Sequence, residues 1–246
     1  MTSKSETGHA KNVANFESLI SFCIGYNADY NPSNAALKIS ALQTLQTNAQ
    51  NSLLGVNTKK SSFQKATDAR QAEFDPFKKL ATKVINALDA TEASSKTVKD
   101  AKTINNKIQG KRADNKAPSP SPTDSEAQEE KKISVSQQSF DSQIESLTKL
   151  IELLTLESAY TPNETELQIS TLQTKLGNLK AANTEVINSY TNYSNSITTR
   201  NSILYAPLSG LVDVALDVKK YVKSVYGASS PQYKQVSKIE FKNRTE

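Results

Sequence analysis

The chain has 246 residues, of which 36% are apolar and 22% charged, with a net charge of +5, seven glycines, one cysteine, one histidine and no tryptophan. So little glycine argues against the bulges, tight turns and phosphate-cradling loops of sheet-rich and nucleotide-binding folds, and the low apolar share suits amphipathic helices better than a compact α/β core. A single cysteine excludes an internal disulfide, and a single histidine excludes a zinc or triad site built on several histidines.

Residues 1–12, MTSKSETGHAKN, are polar and lack the apolar stretch of a secretory signal. They are expected to form a disordered leader in which His9 is solvated. No run of 18 apolar residues occurs anywhere, so no transmembrane helix is expected, and the chain reads as soluble and cytoplasmic. The stretch from Val13 to Tyr26 is the first predicted helix. Cys23 sits in its run Leu19-Ile20-Ser21-Phe22-Cys23-Ile24, with no nearby histidine or cation to activate it, and is expected to be a buried small hydrophobe.

Asn31-Pro32 marks a break, since the residue before proline is pushed out of the helical region. Ser33 or Asn34 is the expected cap of a long second helix. Its seam reads Ile39, Leu42, Gln46, Ala49, Leu53, Val56, Lys60, Phe63, Thr67, Arg70, Phe74, alternating steps of three and four as in a coiled coil. Asp75-Pro76 starts a third helix with the stripe Leu80, Val84, Ile85, Leu88, and a short final segment follows Ala93-Ser94-Ser95. Residues 111–136 alternate proline with serine and then run into charges, the composition of a flexible linker open to proteases.

Beyond it the plan repeats. Tyr30 to Asn48 and Tyr160 to Asn178 are identical at nine of nineteen positions without a gap, among them Tyr30/Tyr160, Pro32/Pro162, Leu37/Leu167 and Ile39/Ile169. The match continues through Val56/Val186, Phe63/Tyr193 and Arg70/Arg200, then one residue out of step at Pro76/Pro207 and Leu80/Leu211. A helix is expected from Phe140 to Ala159, on the stripe Ile144, Leu147, Ile151, Leu154. Thr161 before Pro162, with Glu164 and Glu166, is expected to begin the second long helix, whose seam is Ile169, Leu172, Leu176, Leu179, Asn183, Val186, Tyr190, Tyr193, Ile197, Arg200, Leu204. After Pro207 comes the stripe Leu211, Val214, Ala215, Val218, Val222. The expected fold is therefore all-α: two tandem copies, residues 13–110 and 137–246, of an elongated antiparallel helical bundle with long coiled-coil-like helices.

On YTPNETELQISTLQTKL and LYAPLSGLVDVALDVKKYVKSVYGASSPQYKQVSKIEF the chain resembles uncharacterised bacterial helical proteins carrying a duplicated Y-x-P … S-P-Q-Y-K-Q-V unit. The resemblance implies a bacterial cytoplasmic origin and brings no activity, ligand or catalytic residue with it. The first copy departs from the pattern at Lys96-Thr97-Val98.

No catalytic, cofactor-binding or metal-binding residue is assigned from the sequence. Residues 1–112 carry a net charge of +7 and residues 140–246 none, so an anionic partner, nucleic acid or lipid headgroups, would choose Lys59, Lys60, Lys65, Lys78, Lys79 and Lys83. No nucleic-acid-binding motif accompanies them. Arg70 and Arg200 on the seams are expected to snorkel or to pair with a carboxylate, and Asn183 to set register. Tyr190, Tyr193, Tyr205, Tyr221, Tyr226 and Tyr233 are expected to pack in cores or interfaces. Glu164 and Glu166, two positions apart, do not form a paired-carboxylate site, and Ser209-Gly210 is not a phosphate loop. The expected function is a non-enzymatic structural or protein-interaction module without cofactor, acting through a protein partner or self-association. The alternative is binding of an anionic surface through the first copy.

Overall fold

A computed structural model describes residues 7–110 and 139–244. The expected linker, residues 111–136, lies outside the described residues. All regular structure among them is helical. The order is α1 (Thr7–Gly25), α2 (Ile39–Phe74), α3 (Phe77–Asp89), α4 (Ser95–Gln109), α5 (Phe140–Leu156), α6 (Ile169–Tyr205), α7 (Leu211–Tyr226) and α8 (Pro231–Ser237).

The expected leader is helical over its second half. Residues 7–12 belong to α1, and His9 and Asn12 are buried with Val13, Phe16, Leu19, Ile20 and Cys23. These positions follow the three-and-four spacing of one helix face, two of them polar. A reading keyed to apolar residues starts that face too late.

Neither proline begins a long helix. Each Asn-Pro or Thr-Pro step leads into a 3-10 turn, Ala35–Leu37 or Thr165–Leu167, and then an extended residue, Lys38 (ψ 145°) or Gln168 (ψ 143°), before α2 and α6 start at an isoleucine. The turns are held the same way twice. The Tyr30 hydroxyl donates to the Leu37 carbonyl at 2.8 Å and the Tyr160 hydroxyl to the Leu167 carbonyl at 2.8 Å. Asn34 caps as expected, accepting from the Ala36 N–H, but it caps the short turn. Glu164 makes no side-chain cap bond, and no acidic residue lies in the first turn of α6, so the helix-start role expected for Glu164 and Glu166 is absent.

The long helices bury about half of their seams: Leu42, Gln46, Ala49, Val56 and Phe74 in α2 and Leu172, Leu179, Asn183, Val186, Arg200 and Leu204 in α6. Both seams lapse at the same place. Lys60 is exposed, and its counterpart Tyr190 is 56% exposed while Ser189 is buried instead.

The third helices follow their predicted stripes, with a corrected register. Phe77, Ala81, Val84 and Leu88 are buried in α3; Leu211, Ala215, Val218 and Val222 are buried in α7 at the same spacing. Leu211 thus corresponds to Phe77, not Leu80. The three residues Leu208-Ser209-Gly210 lengthen the loop before α7. The final segments also differ from expectation. α4 runs for 15 residues on Val98, Ala101 and Ile108 and closes on Gly110 in the left-handed region (φ 75°), whereas α8 has 7 residues and buries Val236. Beyond α8 the chain leaves the helix because its backbone is bonded elsewhere. Asn15 donates to the Glu240 carbonyl at 2.7 Å, and Asn12 donates to the Lys242 carbonyl while accepting from the Lys242 N–H.

Compact units cut across the two copies. One draws on Met1–Gln64 and Asn188–Glu246, the other on Lys65–Ile187. In the first unit, α1 packs against α7 and α8, and its core joins Phe16, Leu19, Cys23 and Leu42 to Leu204, Leu211, Val214 and Val218. In the second, α5 packs against α4, and the core joins Phe77, Val84, Leu88 and Ile108 to Leu147, Leu150, Leu154 and Leu172. Each unit therefore takes the front of one copy and the back of the other. The two units are built from equivalent parts.

Cys23 is buried in the first core, as expected, and burial pushes its thiol up to about 12, against a smaller lowering by the Tyr30 hydroxyl. Burial also raises Tyr30, and lifts Tyr26 to about 12. All three groups are in the first unit. Their neutral forms are favoured by folding, so this contribution is whole at neutral pH. It is lost as pH rises from the ordinary thiol value near 9 toward 12. Denaturant titrations are expected to show stability falling above about pH 9, with Cys23 alone contributing a slope of about 1.4 kcal/mol per pH unit. A flat profile to pH 11 would contradict the burial of this cluster.

Candidate binding groove

Within the second unit the Tyr160 turn and the end of α3 enclose an open groove of about 520 Å³. One wall is Ala87 of α3 with Ala90 and Thr91 just past the end of that helix; the other is Tyr160, Thr161 and Pro162. Lys83, Asn86, Ala159, Glu164 and Leu167 complete it. The lining mixes alanine, leucine, proline and a tyrosine ring with the polar side chains of Lys83, Asn86, Thr91, Thr161 and Glu164, and the two alanines at 87 and 90 leave the space open on the α3 side. Tyr160 is fixed by its bond to Leu167, so it presents a ring wall with its hydroxyl already committed. Burial, with the Glu164 carboxylate second, raises that phenol to about 12, so it stays neutral throughout the physiological range. On the rim Lys83 forms an ion pair with Glu166 at 2.8 Å, which uses one of the lysines expected to serve an anionic partner.

The other lysines of that set divide between the units. Lys59 and Lys60 are exposed in the first unit; Lys65 and Lys79 are exposed in the second, where Lys78 is half-buried. Arg70 pairs directly with no carboxylate among the described residues. Its guanidinium lies 4.0 Å over the Phe140 ring and donates to the Asn183 side-chain oxygen at 3.0 Å, and Asn183 donates in turn to Asp141 at 2.8 Å. The amide thus relays cation to carboxylate across three helices, a structural role beyond the register-setting one expected. Arg200 is buried and bonds the Asn201 side chain through Nε and Nη2.

His9 is not solvated. It is 8% exposed, and its Nδ1 shares a hydrogen bond of 2.6 Å with the Tyr205 hydroxyl, which also accepts from Asn12. Most of the tyrosines pack as expected. Tyr221 meets Tyr30 edge-on, Tyr226 lies against Tyr26, and Tyr193 stacks on Phe63. Tyr190 also contacts Phe63 but stays largely in solvent. No group of three or more metal-ligating side chains occurs among the described residues. No helix among them is long and apolar enough to cross a membrane.

The groove was not legible in the sequence. Tyr160 and Pro162 were visible as repeat identities, but the α3 alanines gave no signal of their own. No known protein family, curated protein or solved structure matches this chain.

Proposed function

We propose that this chain is a non-enzymatic structural or protein-interaction module of the cytoplasm, built by duplicating a helical bundle whose long helices pack in a coiled-coil-like way. The groove beside Tyr160 carries the reading. It is an open concavity of about 520 Å³ that sets alanine, proline and a committed tyrosine ring beside a few polar groups, among them Asn86, Thr161 and Glu164, the mixture that receives a side chain. Affinity capture from the native host, with sedimentation velocity of the purified chain, tests it. A stoichiometric protein partner or a reversible self-association is the expected result. A chain that returns alone from capture and remains monomeric at every concentration removes the reading.

A second reading, binding of an anionic surface, draws on the net charge of +7 over residues 1–112 and the exposure of Lys59, Lys60 and Lys79. Binding to anionic vesicles or duplex DNA would then weaken by orders of magnitude between about 50 and 200 mM salt, and Lys59→Gln with Lys60→Gln would reduce the salt slope. Binding indifferent to salt rules it out.

A further inference from the structure

The two units solve the same packing problem, and at one position they solve it differently. Burial sets α3 and α7 in register, so that Phe77, Ala81, Val84 and Leu88 correspond to Leu211, Ala215, Val218 and Val222. In that register Ala87 is the counterpart of Tyr221. The turns that these residues face are equivalent too, since Tyr30 and Tyr160 make the same bond to a leucine carbonyl.

In the first unit the Tyr221 ring meets the Tyr30 ring edge-on, with centroids 5.3 Å apart and planes at 88°. Its hydroxyl accepts a hydrogen bond from the Asn31 N–H at 3.1 Å. Pro32, alongside, is buried. In the second unit alanine stands in tyrosine's place, and the groove opens beside it, lined by Ala87, Tyr160, Thr161 and Pro162. Pro162 is only half-buried there. Thr161, the counterpart of Asn31, lines the groove; it is exposed, and its N–H makes no hydrogen bond to another described residue.

We propose that this groove binds a para-hydroxyphenyl group, seated as Tyr221 is seated in the first unit. The ring lies against Tyr160 and the hydroxyl accepts from the Thr161 N–H. Edge-to-face contact and burial supply the attraction, and the Thr161 N–H, which no described residue accepts from, selects a hydroxyl over a bare ring. With Lys83 of the lining already paired to Glu166, Glu164 disfavours an anionic ligand and leaves a neutral phenol as the fitting chemistry. The inference deepens the interaction-module reading and rests on it only for the source of the ring. Phenol binding can fail while partner capture succeeds, and the reverse, so the two failures are distinguishable.

The test titrates p-cresol, N-acetyltyrosinamide and toluene into the full chain, followed by NMR. p-Cresol is expected to saturate one site per chain and to shift Ala87 and Thr161. Toluene is expected to bind about fivefold more weakly, the worth of one neutral hydrogen bond. Ala87→Tyr, which supplies the phenol from within, is expected to abolish the site. Tyr221→Ala is expected to open the equivalent one and raise the stoichiometry to two; should that variant not fold, Ala87→Tyr decides alone. Binding of N-acetyltyrosinamide alongside p-cresol assigns the group to a tyrosine of a partner polypeptide, and binding of p-cresol alone assigns it to a free phenol. Equal binding of toluene, unchanged binding to Ala87→Tyr, or no saturable binding overturns the proposal.

Discussion

Cutting the chain between its two copies is expected to leave them bound to each other. With a protease site inserted between Gly110 and Ser139 and then cleaved, the two fragments should co-elute and melt together. The reason is the composition of the cores. The first unit buries Phe16, Leu19, Cys23 and Leu42 from one fragment against Leu204, Leu211, Val214 and Val218 from the other, and the second unit repeats the pattern with the roles exchanged. At about 2 kcal/mol for each large buried side chain, separating the fragments would forfeit on the order of 15 kcal/mol in each unit. That equals or exceeds the whole stability of an ordinary domain, about 5–15 kcal/mol. Each fragment prepared alone should therefore be unfolded, or should find a second copy of itself. Mixing the two should restore helicity. Two folded monomers separating on a sizing column would refute the interleaved cores, and with them the division into units.

The same interleaving marks the limit of what the sequence disclosed. Duplication, helix content and the stripes of α3, α5 and α7 are local patterns, and they were visible because three-and-four spacing is imposed by the helix itself. A stripe states that a helix has a partner; it does not state which one. The stripe of α1 fits α7 and α8, and that of α5 fits α4, pairings that join residues more than a hundred positions apart or lie across residues 111–136. His9 was missed for the same reason, because a buried imidazole is tolerable only where Tyr205 arrives from the other copy. Arg70 illustrates the intermediate case. Its place on the seam was legible, and so was that of Asn183, but the bond between them needed both long helices in place. The groove was least legible of all. Its defining residue, Ala87, becomes informative only when the register of α7 sets it against Tyr221.

That register depends on the loop before α7, where a second large effect is expected: Gly210→Ala should cost about 3 kcal/mol and lower the melting temperature by roughly 10 °C. Gly210 has an ordinary φ of −71°, so conformational freedom is not the issue. Space is. A Cβ there would lie 2.5 Å from the Ala206 nitrogen, 2.7 Å from the Ala206 oxygen and 2.8 Å from the Tyr205 carbonyl carbon, all backbone at or just past the end of α6. The loop cannot retreat, because the Gly210 N–H is bonded to the Ala206 carbonyl at 2.7 Å and the Leu208 N–H to Asp213 at 2.9 Å, with Leu208 already held at φ 66°. Gly8→Ala provides the contrast. Its Cβ would fall 2.4 Å from the Arg244 guanidinium, but that is the far end of a flexible side chain, and alanine favours the helix by up to about 1 kcal/mol. Urea denaturation should therefore find Gly8→Ala within about 0.5 kcal/mol of the parent, or slightly above it. If Gly210→Ala were equally mild, the close approach of α6 to the start of α7 would be wrong, and the correspondence of Leu211 with Phe77 would lose its structural basis.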